Sequence, residues 1–206
     1  MDASQIERLT EEALWDGEPI RGRLKETHIS WLVLGDRFVF KIKKPESLSF
    51  LDFSALEKRR KYCRREVELN RRLCDIYLDV VAIRERAGIF ELSEESDDAI
   101  DYAVRMQRLD SDREMLALLE AGQVTPGHIR QLAERMAAFH RRAEVIDEPF
   151  SIERMKANFA DIRSVSKKLE RELGDEWVEA IERSIESSSR FLETNRDYIE
   201  NRARLG

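Results

Sequence analysis

Alternating apolar and polar positions run through residues 38–43, which read FVFKIK. In an extended chain, side chains alternate between two sides, so Val39, Lys41 and Lys43 would lie together and the three apolar residues between them would lie opposite. The pattern therefore predicts a strand with one core side and one side that carries two cations. Taken alone, a lysine in such a strand is typical of a solvated face.

The same alternation predicts a small antiparallel sheet over residues 20–43, followed by further strands. The first three strands are expected near residues 20–26, 29–34 and 37–43. Three more are expected at residues 78–84, 87–92 and 100–109. Gly35-Asp36 would form the tight turn before the lysine strand, and Pro45 would end that strand. An acidic turn is expected over residues 94–98.

Apolar residues at helical spacing predict one helix over residues 4–15 and a long one over residues 54–73. Each begins with a serine that is followed three residues later by a glutamate, which is the pattern of a capping box. The two pairs are Ser4 with Glu7 and Ser54 with Glu57.

From residue 110 onward the pattern is helical. Ser111 and Glu114 would form a third capping box, and Gly122 would close the helix that they open. Further helices are expected to begin at Thr125-Pro126, at Ser151 and at about Asp175. The fold class predicted is α+β, with a mixed part over residues 1–108 and a helical part over residues 109–206.

The composition argues against several classes of function. The 206 residues are 38% charged and 42% hydrophobic, and their formal net charge is −6. A chain of this charge is not expected to coat nucleic acid or an anionic membrane. Cys63 and Cys74 form no disulfide framework or metal knuckle, and no apolar run approaches the ~20 residues that span a bilayer. We therefore expect a cytoplasmic protein with no membrane partner.

The order of these elements gives Lys41 a possible role. Antiparallel strands, a long helix, more strands and a linker into helices are the order found in the smaller lobe of a protein-kinase-like fold. In that lobe a third-strand lysine reaches the ATP phosphates, and a helix glutamate holds the lysine. Glu66 and Glu68 are candidates for this glutamate, and Glu66 is favoured because its position faces the sheet. Val39 would contact the adenine ring.

Four stretches make the likeness more specific: ETHISWLVLGDRFVFKIKKP, LSFLDFSALEKRRKYCRREVELNRRL, YAVRMQRL and LAERMAAFH. They resemble the N-terminal part of bacterial aminoglycoside-phosphotransferase-like proteins, in a subfamily often fused to a P-loop ATPase or kinase domain. The resemblance implies a kinase-like N-lobe followed by the first helices of a truncated C-lobe. It also implies phosphorylation of a small-molecule hydroxyl with ATP or GTP and Mg²⁺.

The resemblance implies roles for individual residues. Lys41 would bind the nucleotide phosphates, and Glu66 would be its helix partner. The loop over the phosphates would contain Thr27, His28 and Ser30, and the hinge beside adenine would contain Met106, Gln107 and Arg108. That loop has no glycine here, so hydroxyls and backbone amides would have to bind the phosphates.

The family's catalytic His-Gly-Asp segment is not found in these 206 residues, whose histidines are His28, His128 and His140. Nor is the later aspartate that binds Mg²⁺. No catalytic or metal-binding residue is therefore predicted, and we expect this chain alone to have no useful kinase activity. It would be either a fragment or a natural truncation, and its substrate is left open.

Other interpretations stay open. The chain could be a non-catalytic, pseudokinase-like module that binds nucleotide or a partner. Eight basic residues between positions 58 and 72 could bind nucleic acid, although interleaved glutamates favour a solvated helix face. His140 is expected to be a packing or capping residue, and Asp110 and Asp112 are expected to start a helix or to contact a cationic substrate. An apolar stripe could form a homodimer through Trp177, Ile181, Ile185, Phe191 and Leu192.

Overall fold

Two compact units make up the chain, Met1–Arg142 and Ala143–Gly206. The computed structural model describes residues 1–94, 96–145 and 150–205. The architecture is α+β, as predicted. The predicted limit at residue 108 falls inside the first unit, where the last strand ends and helices follow.

The first unit contains an eight-stranded sheet and a separate two-stranded hairpin. In chain order the strands are β1 Leu14–Trp15, β2 Glu18–Pro19, β3 Arg23–Glu26, β4 Ser30–Leu34, β5 Phe38–Lys43, β6 Ser47–Leu48, β7 Leu51–Asp52, β8 Tyr77–Arg86, β9 Ile89–Glu94 and β10 Asp101–Gln107. The sheet order is β2-β1-β9-β8-β10-β5-β4-β3, and β6 pairs with β7. The sheet is antiparallel except between β1 and β9, which are parallel.

Most predicted strands are confirmed to within about two residues, and the turn before β5 lies where Gly35 and Asp36 predict it. The first strand begins three residues later than expected, because Arg21 has a positive φ of 42° and interrupts the extended chain. The predicted acidic turn includes residue 95, which lies outside the described residues, and Glu94 belongs to β9.

The first helix, α1, spans Ala3–Glu12. The predicted capping box of Ser4 and Glu7 is wrong, because Asp2 is the N-cap and exchanges hydrogen bonds with Gln5. The helix also ends earlier than predicted. Asp16 and Gly17 follow it at positive φ and form the two-residue turn between β1 and β2.

Helix α2 spans Leu56–Arg71 and ends two residues before the predicted limit. The predicted capping box of Ser54 and Glu57 is wrong, because the N-cap is Ala55 and makes no side-chain hydrogen bond. The Ser54 hydroxyl instead donates to Asp52 Oδ1 at 2.6 Å. Asp52 thus holds the segment that leads into the helix.

A helix packs on each face of the sheet. On one face, α1 packs through Ile6 and Leu9 against a core that includes Phe40 and Ile42 of β5. On the other face, Cys63 of α2 packs with residues of β8 and β10. The lysine side of β5 faces α2, because its register partners on β10 belong to this second cluster.

Helices follow β10. Ser111–Arg113 forms a 3₁₀ turn, α3 spans Met115–Glu120 and α4 spans Pro126–Arg142. The predicted box of Ser111 and Glu114 is wrong, since Asp110 caps the turn and Glu114 is extended. Thr125 accepts a hydrogen bond from the His128 amide at 3.4 Å, so this predicted cap is confirmed. Gly122 follows α3 at a φ of 65°.

The second unit contains α5 Ile152–Ala160, a 3₁₀ turn Asp161–Val165, α6 Ser166–Leu173, α7 Asp175–Thr194 and α8 Arg196–Leu205. Ser151 caps α5 as predicted. Within the unit α7 packs against α5 and α6. Ile181, Ile185 and Leu192 are buried, whereas Trp177 and Phe191 remain exposed. Dimer formation through this stripe stays a prediction. Among the described residues, none of the helices has the length and apolar character that crossing a membrane requires.

Candidate functional site

Strand β5 brings two lysines to the same face of the sheet. Lys41 lies between Leu32 of β4 and Val104 of β10, and Lys43 lies two residues further along the strand. A spacing of two residues places both side chains on the side that α2 covers. The alternation of side chains in β5 therefore places two lysines opposite α2.

Glu66 of α2 receives both of these cations. Lys41 Nζ lies 2.7 Å from Glu66 Oε1, and Lys43 Nζ lies 2.6 Å from Glu66 Oε2. Each lysine therefore has a carboxylate oxygen of its own, and the three groups together carry a net charge of +1. The predicted pairing of Lys41 with Glu66 is present, but the sequence interpretation did not predict that Lys43 also pairs with Glu66.

The two lysines differ in exposure. The Lys41 side chain is 28% exposed, the Lys43 side chain is 6% exposed and the Glu66 side chain is 14% exposed. The Lys43 ammonium also lies 4.8 Å from the centre of the Phe53 ring, a cation–π contact. Lys43 is thus the buried member of the cluster, and Lys41 is the one that solvent reaches.

Glu66 stays ionised in this half-buried position. Burial disfavours the charged carboxylate, but the positive charges and hydrogen bonds of Lys43 and Lys41 outweigh it, so the pKa of Glu66 is lowered. The alternative candidate, Glu68, is exposed and pairs with Arg65 at 2.8 Å on the solvent side of the helix. Of the two predicted candidates, only Glu66 reaches the lysine.

A buried ion pair fixes α2 against the sheet. Arg59 Nε lies 2.8 Å from Asp101 Oδ1, and the Asp101 side chain is completely buried. Arg59 also donates to the carbonyl oxygens of Phe53 and Ser54, at 3.0 and 3.1 Å. Because Arg59 lies two turns before Glu66 on the same helix, this network helps to set where Glu66 stands.

Apolar side chains continue the lysine face toward the end of β5. Val39 is buried and lies in register with Leu34 on one side and Met106 on the other. The three form an apolar strip beside Lys41. Contact between Val39 and an adenine ring stays a prediction.

The turn between β3 and β4 contains the predicted phosphate loop. Thr27 Oγ1 donates to the Ser30 carbonyl at 2.9 Å and accepts from the Ser30 amide at 3.0 Å, so this hydroxyl is used to close the turn. His28 is exposed at its tip. Ser30 is fully buried opposite Lys43, and its hydroxyl has no hydrogen-bond partner among the described residues. Phosphate binding by this turn stays a prediction.

The predicted hinge segment lies at the end of β10, and two of its backbone amides already donate hydrogen bonds within the protein. The Gln107 amide donates to the Ile76 carbonyl at 2.8 Å, and the Arg108 amide donates to the Arg37 carbonyl at 2.9 Å. An adenine ring at this segment would have to use other backbone groups. The hinge role of Met106 and Gln107 stays a prediction.

A second charged cluster lies on the opposite face of the sheet. Arg105 Nε is 2.9 Å from Asp79 Oδ1, and its guanidinium lies 4.4 Å from the Trp15 ring and 4.8 Å from the Phe38 ring. No motif in the sequence singled out this cluster. It ties the short strand β1 to the centre of the sheet.

The remaining candidates have structural partners. Among the basic residues of α2, Arg59 is buried with Asp101, and Lys58 pairs with Asp52. The His140 ring contacts Phe139, and Asp110 accepts from the Asp112 amide. In the part of the chain that the structure describes, no three His, Cys, Asp or Glu side chains are grouped for a metal ion.

Comparison with known proteins gives distant relatives of unknown function. No family model matches the chain, and no solved structure matches it. It is 32% identical over 139 residues to the uncharacterized proteins Rv2004c of Mycobacterium tuberculosis and Mb2027c of Mycobacterium bovis. The match covers 66% of this chain and 26% of each relative. The chain therefore spans about a quarter of the length of the curated relatives it matches.

Proposed function

We propose that this chain is the nucleotide-binding part of a phosphotransferase of the aminoglycoside-phosphotransferase type, with a protein-kinase-like small lobe. Lys41 would bind the phosphates of ATP or GTP. The observation that carries the proposal is the ion pair between Lys41 and Glu66, at 2.7 Å, which joins a strand of the antiparallel part of the sheet to the helix that covers it.

The electrostatics of the cluster suit an anion. Two lysines share one carboxylate, so a positive charge is left for a ligand, and the exposed fraction of Lys41 gives the ligand access. An ammonium group has three N–H donors, and Lys41 donates one of them to Glu66. The others are available to phosphate oxygens, which form strong charge-assisted hydrogen bonds.

The topology supports the same function. Lys41 lies on the third strand of the β3-β4-β5 meander, α2 follows it in the chain, and β10 lies next to β5 before the chain enters α3 and α4. In the kinase small lobe, a third-strand lysine and a helix glutamate must both be in place for phosphoryl transfer. The 2.7 Å pair of Lys41 and Glu66 supports the proposal, because it joins a strand lysine to a helix glutamate.

The proposed activity of these 206 residues is nucleotide binding rather than transfer. Phosphoryl transfer also needs positioned Mg²⁺ and a carboxylate that orients the attacking hydroxyl. A His-Gly-Asp segment that would supply this carboxylate is not part of the sequence. Transfer to the hydroxyl of a small molecule would therefore need groups beyond those described, and Mg²⁺ would accompany the nucleotide.

Isothermal titration calorimetry with Mg-ATP and Mg-GTP tests the proposal. We expect the wild-type chain to bind at least one of them and Lys41→Ala to lose binding. Lys44→Ala is the matched control, since Lys44 pairs with Glu26 at 2.5 Å and contacts Trp31 on the other face of the sheet. Failure of the wild type to bind either nucleotide at millimolar concentration, or undiminished binding by Lys41→Ala, would contradict the proposal.

A further inference from the structure

We propose that Lys43 is a positioning residue, which holds Glu66 in place while the Lys41 ammonium binds both the carboxylate and a nucleotide phosphate. The inference rests on the proposed function, and it assigns a role to a residue for which that function gives none. It begins from the fact that the lysines bind different oxygens of Glu66, at 2.7 Å for Lys41 and 2.6 Å for Lys43.

Burial separates the roles of the two lysines. The Lys43 ammonium lies against the Phe53 ring, and its side chain is almost entirely out of solvent. Lys41 is more than four times as exposed, at 28% against 6%. A ligand that arrives from solvent would therefore reach Lys41 first, and Lys43 would stay on the carboxylate.

The energetics explain why a second lysine is useful. A buried carboxylate that loses its only partner is strongly destabilised, because it has given up water and gains nothing in return. If Lys41 were the sole partner of Glu66, a phosphate that also bound Lys41 would weaken the only ion pair of the carboxylate. Lys43 reduces this cost, since Glu66 keeps its undivided 2.6 Å ion pair with Lys43 while Lys41 also binds the phosphate.

The lysines supply the positive charge that keeps the Glu66 carboxylate paired. Among the described residues, Glu66 interacts electrostatically with Lys41 and Lys43 of β5, and also with Tyr77 of β8 and Cys63 of α2 itself. Burial raises the pKa of the Cys63 thiol to about 12, and burial also raises the pKa of the Tyr77 phenol, so both are neutral near pH 7. Neither can replace the positive charge of Lys43.

A double-mutant cycle on Mg-ATP affinity tests this role in the 206-residue chain. We expect Lys43→Met to weaken binding about tenfold, the size of one lost charge-assisted contact. In a Glu66→Gln background the same change should alter affinity by less than about twofold, because Lys43 acts through Glu66. Lys43→Arg should restore most of the affinity, and the control Lys44→Met should stay within about twofold of the wild type.

Each result has a distinct meaning. Equal tenfold losses from Lys43→Met in both backgrounds would show that Lys43 acts on the anion directly, and wild-type affinity in Lys43→Met would show that it does not act at all. Either would overturn the positioning role and leave the proposed function standing. No binding by the wild type would overturn both.

Folding of the variants is checked by circular dichroism. Should Lys43→Met fail to fold, Lys43→Gln takes its place in the cycle, and folded Lys43→Arg with weak binding would still overturn the proposal. A titration of the Glu66 carboxyl by ¹³C NMR adds a readout that needs no nucleotide. We expect its pKa to rise in Lys43→Met and to stay low in Lys43→Arg, and an unchanged pKa in Lys43→Met would contradict the role.

Discussion

Replacing Arg59 by methionine tests what holds α2 on the sheet. The change removes the 2.8 Å ion pair with the completely buried Asp101 and two hydrogen bonds to backbone carbonyls. Breaking a buried pair by removing one partner costs about 3–5 kcal/mol. Asp101 keeps a second cation, because the Met1 ammonium lies 3.0 Å from its Oδ2, so the lower end applies to the pair. Loss of the carbonyl contacts brings the expected destabilisation to about 4 kcal/mol.

The same helix offers a matched control. Arg65 pairs with Glu68 at the same distance of 2.8 Å, but both side chains are exposed, at 57% and 67%. Exposed pairs of this kind contribute about 0–1 kcal/mol. Arg65→Met should therefore lower the free energy of unfolding by less than about 1 kcal/mol. The two variants differ in burial and in the two carbonyl contacts of Arg59, so the comparison measures what the buried network adds over an exposed pair.

Urea unfolding followed by tryptophan fluorescence provides the assay. Trp15 and Trp31 report on the first unit and Trp177 on the second, so all proteins would carry Trp177→Phe to follow the unit that contains Arg59. A two-unit chain need not unfold in one step, and this background avoids mixing two transitions. A loss in Arg59→Met below about 1 kcal/mol, or equal to the loss in Arg65→Met, would refute the reasoning about the buried network.

Two further predictions concern ionisation. Because the pKa of Glu66 is depressed in the folded state, its contribution to stability is present above its ordinary value of 4.5 and is lost as pH falls toward the folded-state pKa. Glu66→Gln should therefore lose less stability than the wild type as the pH falls below 4.5 in urea unfolding, and parallel pH profiles below 4.5 would contradict this. Burial and the raised pKa of Cys63, about 12, predict that it resists iodoacetamide in the native chain and reacts in urea, whereas half-buried Cys74 should react first. Mass spectrometry of the alkylated peptides distinguishes the two thiols, and rapid native labelling of Cys63 would contradict the prediction.

Strong local patterns predicted most of the sheet and the pairing of Lys41 with Glu66. Strand alternation in residues 38–43 separated the two faces of β5, and helical spacing placed Glu66 on the side of α2 that faces the sheet. The same alternation also places Lys43 beside Lys41. Its pairing with Glu66 was not predicted because the third-strand pattern of the kinase lobe has one lysine, not because the sequence lacked a signal.

Caps and short strands were harder to predict, since they depend on competing partners. Ser54 fits the capping pattern in the sequence, but its hydroxyl forms a hydrogen bond with Asp52 instead of capping the helix. At the first helix, Asp2 competes successfully with Ser4 for the capping position. The parallel pairing of β1 with β9 joins residues far apart in the chain, and no local pattern encodes such a contact.

The central claim is that Lys41 lies beside the phosphates of a bound nucleotide. An acyl-phosphate derivative of ATP tests it most directly, because its reactive group lies at the phosphates and acylates a lysine next to them. Tryptic mass spectrometry would then show which lysine has been modified. The account predicts acylation at Lys41 that excess Mg-ATP prevents. Labelling confined to other lysines, or labelling of Lys41 that excess Mg-ATP leaves unchanged, would contradict it.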